Sequence, residues 1–84
     1  MSENKIVRET DYEVRVDGNT IHVTESVWAD GRKSFHVALH DEAVDYCIPL
    51  TNDEALDAYP TDEQIRILLE PENVEAGYRL VNGS

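Results

Sequence analysis

The sequence predicts an α+β domain: a four-stranded antiparallel β-meander over about residues 6–50, one face covered by C-terminal helices, with room for a fifth edge strand. Three observations predict it. Apolar and polar residues alternate in successive stretches between Tyr12 and Ile48. Asp17-Gly18 and Ala29-Asp30-Gly31 punctuate these stretches with hairpin chemistry. Two segments, Thr51 to Glu54 and Thr61 to Gln64, place a hydroxyl three residues before a carboxylate or amide, the pattern of a helix capping box.

The first strand is read from Tyr12, Val14 and Val16, which alternate with Asp11, Glu13 and Arg15. Asp17-Gly18 suits a type I′ turn, which needs positive φ at both central residues. A two-residue loop there pairs Val14 with Ile21 and Tyr12 with Val23, apolar against apolar. The second strand runs from about Thr20 to Trp28, and Ala29 to Gly31 form a three-residue loop closed by glycine. That register pairs Ile21 with Leu39 and Val23 with Val37. A turn at Asp41-Glu42 then pairs Leu39 with Val44, Val37 with Tyr46 and Phe35 with Ile48. All these apolar residues share one face, and a slip by one residue would scramble it. Glu25 is the exception; it falls on the apolar face opposite Phe35, which predicts a bulge or an open sheet end there.

The apolar face needs a cover. The two capping boxes predict a short helix near 52–58 and a longer one near 62–69, separated by Pro60. Ile65, Leu68 and Leu69 face the sheet at helical spacing, although a stretch this short and apolar also suits a strand. Pro71 ends the second helix. Pro71–Gly77 makes one more turn with Gly77 as its stop, and Tyr78–Val81 alternates as a last edge strand.

At 84 residues the chain forms one domain, spanning 1–84. A chain of this size buries roughly 60% of its unfolded surface, enough to fold without staples. Cys47 is the sole cysteine, so no intrachain disulfide forms. The opening MSENKIVRETDYE has no apolar signal core, and no apolar run nears the ~20 residues that span a bilayer. These features predict a cytoplasmic protein in a reducing compartment.

Charge is the strongest compositional signal. Eighteen acids against seven bases give a net charge of −11. Residues 1–36 carry seven acids and five bases (7 − 5, net −2), and residues 37–84 carry eleven acids and two bases (11 − 2, net −9). Such a surface repels phosphate, so neither nucleic acid nor an anionic membrane is an expected direct partner. It favours basic proteins, or solubility at high salt.

Four residue sets could carry chemistry. The glycines give a negative: Gly18, Gly31, Gly77 and Gly83 are used by turns, a helix stop and the tail, leaving none for a phosphate-cradling loop or nucleophile elbow. The polar sheet face is the second. There the register places His22, His36 and His40, with Glu13 opposite His22 and Cys47 opposite His36; imidazole, thiolate and carboxylate are all zinc ligands. His36 and His40, four residues apart on one strand, stand about 13 Å apart and cannot share an ion. Cys47, His36 and diagonal His22 could, and Cys47 beside His36 could act as a nucleophile, although no oxyanion-stabilising element accompanies it. The third set is acidic. Asp53, Glu54, Asp57, Asp62 and Glu63 belong at helix N-termini by macrodipole electrostatics. Glu70, Glu72 and Glu75 are read at a helix end, where acids are unfavourable, and with Asp41, Glu42 and Asp45 they predict an acidic partner-binding surface. Trp28, on the polar side, is the fourth: an aromatic anchor, or a ring laid over its own sheet or on Arg32.

In size, acidity and α+β pattern the chain resembles, in general type, small phage-encoded inhibitors such as anti-CRISPR and DNA-mimic proteins. The likeness is compositional and carries no motif. It implies a viral, non-catalytic inhibitor that imitates nucleic acid. The expected function is therefore protein binding to a basic surface through Asp41, Glu42, Asp45, Glu70, Glu72, Glu75 and Trp28, without a cofactor or metal. The alternatives are a small metal- or thiol-dependent enzyme using His22, His36 and Cys47, and an acidic domain adapted to high salt.

Overall fold

The computed structural model describes residues 4–43, 45–51 and 55–82. Strands β1 (Ile6–Val16), β2 (Asn19–Trp28), β3 (Lys33–Asp41) and β4 (Tyr46–Pro49) form one antiparallel sheet in the order β1-β2-β3-β4. Helices α1 (Asp62–Leu68) and α2 (Pro71–Asn82) follow. The arrangement is the expected α+β meander with C-terminal helices.

The first two turns are those the sequence predicts. Asp17 and Gly18 both have positive φ, 52° and 83°, as a type I′ turn requires. Val14 pairs with Ile21 and Tyr12 with Val23. In the second hairpin Gly31 has φ 90°, and the Trp28 N–H donates to the Arg32 carbonyl at 2.8 Å, closing the three-residue loop. Ile21 then meets Leu39 and Val23 meets Val37. Glu25 stays in register opposite Phe35, its side chain 13% exposed and 3.9 Å from Lys33 Nζ. The ladder irregularity lies in β1 instead, where Val7 is the extra residue between the Ile6–Trp28 and Arg8–Val27 pairs.

The third turn departs from expectation. The last pair of β3 and β4 is Asp41 with Tyr46, so the loop is four residues long, and Leu39 opposes Ile48. The predicted pairs Val37–Tyr46 and Phe35–Ile48 do not form, and Val44 lies outside the described residues. The cause is local: Asp41 Oδ1 accepts the Ala43 N–H at 2.9 Å, the Asp45 N–H donates to the Asp41 carbonyl at 2.8 Å, and Asp45 takes φ 56°. Aspartate tolerates that left-handed conformation better than most residues. The slip is four residues, an even number, so Ile48 still points into the core. Leu50 and Leu56 fill the vacated places: the Leu50 N–H donates to the Val37 carbonyl, and Leu56 bridges Phe35 in both directions.

That bridge also displaces the helix predicted near 52–58. Residues 52–54 lie outside the described set, but Ala55 to Pro60 are extended or bent. The Thr51 Oγ1 accepts the buried Val37 N–H at 3.0 Å, while the rest of its predicted capping box lies outside the described residues. The second capping box forms as predicted, with Thr61 Oγ1 accepting from the Gln64 N–H and Gln64 Oε1 accepting from the Thr61 N–H. The stretch from Ile65 is therefore helical, with Ile65 buried and Leu68 and Leu69 packed on the core.

Pro71 ends one helix and begins the next, a place where its missing N–H costs nothing. Gly77 does not stop α2, and Tyr78–Val81 is helix, not a fifth edge strand. A Cβ on Gly77 would lie 2.5 Å from Ile48 Cγ2 and nearer still to the Pro49 carbonyl oxygen. Glycine is there because α2 rests directly on β4. The core joins Val16, Ile21, Val23, Phe35, Val37, Leu50 and Ile65, with Val74 of α2 against it. Each such aliphatic side chain contributes about 1.5–3 kcal/mol on burial. Among the described residues, no helix is long and apolar enough to cross a membrane.

Candidate functional site

The sheet face away from the core carries the polar alternation. Because β2, β3 and β4 are neighbours, His22, His40 and Cys47 come from three adjacent strands. His40 directly opposes Cys47 and, on its other side, Thr20; His22 is thus one diagonal step from His40. One ligand atom from each of the three lies within 4.8 Å of the others. The two rings are 5.8 Å apart and tilted by 30°. His22 and His40 are half-buried and Cys47 is exposed, so the cluster opens to solvent. Ala38, opposite His22, adds only a methyl beside it.

Carboxylates flank the cluster. Asp11 Oδ2 is 3.2 Å from His22 Nδ1, and its Oδ1 accepts the Thr24 hydroxyl at 3.3 Å. Glu13 Oε1 lies 3.9 Å from His22 Nε2, and Asp45 Oδ1 lies 3.3 Å from His40 Nε2. Partial desolvation pushes the Cys47 thiol above its ordinary range, and the Asp11 and Asp45 carboxylates push it the same way. Both oppose formation of the thiolate that nucleophilic chemistry needs.

The trio expected from the sequence was His22, His36 and Cys47. The four-residue slip of β4 replaces His36 with His40 as the partner of Cys47. His36 turns instead to Thr51, with Nδ1 3.1 Å from its Oγ1 and 3.3 Å from its carbonyl oxygen. The signal that could have revealed this was Asp45, an aspartate placed to accept positive φ in a longer loop.

The expected acidic surface divides into two parts, brought together by α2. Asp41, Glu42 and Asp45 form the β3–β4 turn, and Asp41 Oδ2 accepts the Tyr78 hydroxyl from α2. Glu75 and Glu72 precede Tyr78 by three and six residues, about 4.5 and 9 Å back along the helix and about 60° and 120° from it around the axis. Glu42, Asp45, Glu70, Glu72 and Glu75 are exposed. Glu70 and Glu72 do not sit at an unfavourable helix end, as the sequence suggested. Because α2 starts at Pro71, they lie beside its N-terminus, where carboxylates are favourable. Glu75 pairs with Arg79 at 2.8 Å. A surface groove of about 310 Å³ adjoins the turn, lined by Gly18 to Thr20 and Leu39 to Ala43.

Trp28 is not brought to this surface. It stands at the opposite end of β3, about 25–30 Å away at the rise of an extended strand. Its ring lies half-buried on its own sheet, with Nε1–H donating to Ser34 Oγ at 2.9 Å, while Arg32 turns to Asp30 at 2.8 Å. That pairing, led by the Arg32 backbone N–H on the carboxylate, holds Asp30 below its ordinary range.

Comparison of the chain with protein-family models, with curated proteins and with solved structures finds no match.

Proposed function

We propose that this chain is a non-catalytic interaction protein of the cytoplasm that binds a basic surface on a larger protein. Its sharpest form is an inhibitor that occupies a nucleic-acid-binding groove by presenting spaced carboxylates in place of phosphates. The docking surface runs from Asp41, Glu42 and Asp45 along α2 to Glu70, Glu72 and Glu75. Trp28 is too distant to anchor it.

One observation carries the reading. Residues 37–84 contain only two bases, Arg66 and Arg79. Arg66 is committed to Asp17 at 3.0 Å and Arg79 to Glu75 at 2.8 Å. Among the described residues, Glu42, Glu70 and Glu72 thus have no ion-pair partner. A field of one sign, left unneutralised within the chain, favours and steers a partner of the other sign.

The test is capture of partners from a lysate of the native host at low salt, then titration of the identified partner against salt. Affinity is expected to fall steeply with ionic strength as the charges are screened. The triple change Glu70→Gln, Glu72→Gln and Glu75→Gln is expected to weaken binding while the circular dichroism spectrum stays unchanged. Salt-insensitive binding, or full affinity in the folded triple variant, overturns the reading.

A further inference from the structure

We propose that His22, His40 and Cys47 form a binding site for a zinc-class divalent ion, with a fourth coordination position open to solvent. The site adjoins the acidic docking surface at Asp45, but its ligands lie outside that surface and neither proposal needs the other.

The donor set is the first ground. Two imidazoles and a thiolate are borderline-soft ligands that select zinc and its transition-metal neighbours over magnesium or calcium. Spacing is the second. Zinc bonds of about 2.0–2.3 Å in a tetrahedron place ligand atoms about 3.3–3.8 Å apart. Here the three atoms lie within 4.8 Å of one another before any ion draws them in. Closing the remainder needs side-chain rotation of about an ångström, not backbone movement, because the strands already set the three residues on one face.

The surroundings are the third ground. Carboxylates lie beside both imidazoles: Asp11 3.2 Å from His22 Nδ1, Glu13 at a looser 3.9 Å from its Nε2, and Asp45 3.3 Å from His40 Nε2. Such outer carboxylates orient metal-binding imidazoles and strengthen them as ligands. They also supply negative charge that favours a cation. Since the ligands come from β2, β3 and β4, an ion would clamp three strands and fix the register of β4.

Cobalt(II) serves as a spectroscopic stand-in for zinc. The purified chain, kept reduced and in excess magnesium, is titrated with cobalt. One bound ion is expected, with a near-ultraviolet thiolate-to-cobalt charge-transfer band that added zinc abolishes. Cys47→Ser removes the band; Cys47 is exposed, so this variant should fold. His22→Ala and His40→Ala weaken binding by about 100-fold or more, at least the loss that even outer-shell changes produce. His36→Ala leaves binding unchanged. The wild-type band is itself decisive, so the test survives a variant that misfolds. No thiolate band, a band retained in Cys47→Ser, or cobalt displaced by magnesium means diffuse binding to carboxylates or none, and overturns the site.

Discussion

Gly77 governs how α2 meets the sheet. Any side chain there runs into Ile48 and the Pro49 carbonyl. Elsewhere in a helix interior, glycine to alanine gains about 1 kcal/mol from propensity. Here overpacking against backbone outweighs that gain. Gly77→Ala is expected to lower stability by about 1–3 kcal/mol, read as a lower urea midpoint with an unchanged slope. The sequence invited the opposite reading, a glycine that stops a helix, because C-terminal glycine is common and nothing local announces that β4 lies beneath. The candidate site divides in the same way. That His22, His40 and Cys47 share the polar face was legible, since period-2 alternation fixes faces. Which histidine meets Cys47 was not, since that depends on where β4 starts.

At the scale of elements, two similar capping sequences precede different structure, a helix after Thr61 and an extended or bent stretch over 55–60 after the other. Thr61 and Gln64 closed their box and started α1, and Thr61→Ala is expected to cost about 0.5–2 kcal/mol by denaturant unfolding. If that variant keeps full stability, the cap contributes nothing. Thr51 faced a competitor. The Val37 N–H, buried at the sheet, took its hydroxyl, and an unsatisfied buried donor costs about 1–3 kcal/mol. A capping motif is local, whereas that donor is fourteen residues upstream in the chain. The hairpins follow the same logic. Asp17-Gly18 and Ala29 to Gly31 encode their own geometry and were legible. The β3–β4 loop was not, because registers four residues apart bury the same face and hydrophobic pattern alone cannot choose between them.

For the whole molecule, the net charge of −11 sets a cost on compactness. Raising salt from ~0.01 M to ~0.15 M shortens the Debye length from about 30 to about 8 Å. The thermal midpoint at neutral pH is expected to rise by a few degrees over that range, since about 1 kcal/mol moves a domain of this size by 4–8 °C. A midpoint that does not move shows the carboxylates too far apart to repel one another. Folding only in molar salt marks the salt-adapted alternative. The meander has a further consequence, for the chain as it leaves the ribosome. Every pair of neighbouring strands is joined by a loop of two to four residues, so each hairpin can zip in about 1–10 μs once it emerges. The cover for the apolar face comes only with the segment from Thr51 to Asn82. Until that segment docks, a zipped meander leaves Ile21, Val23 and Val37 open to water, so the hairpins form fast and the domain becomes stable only when its last-made third arrives.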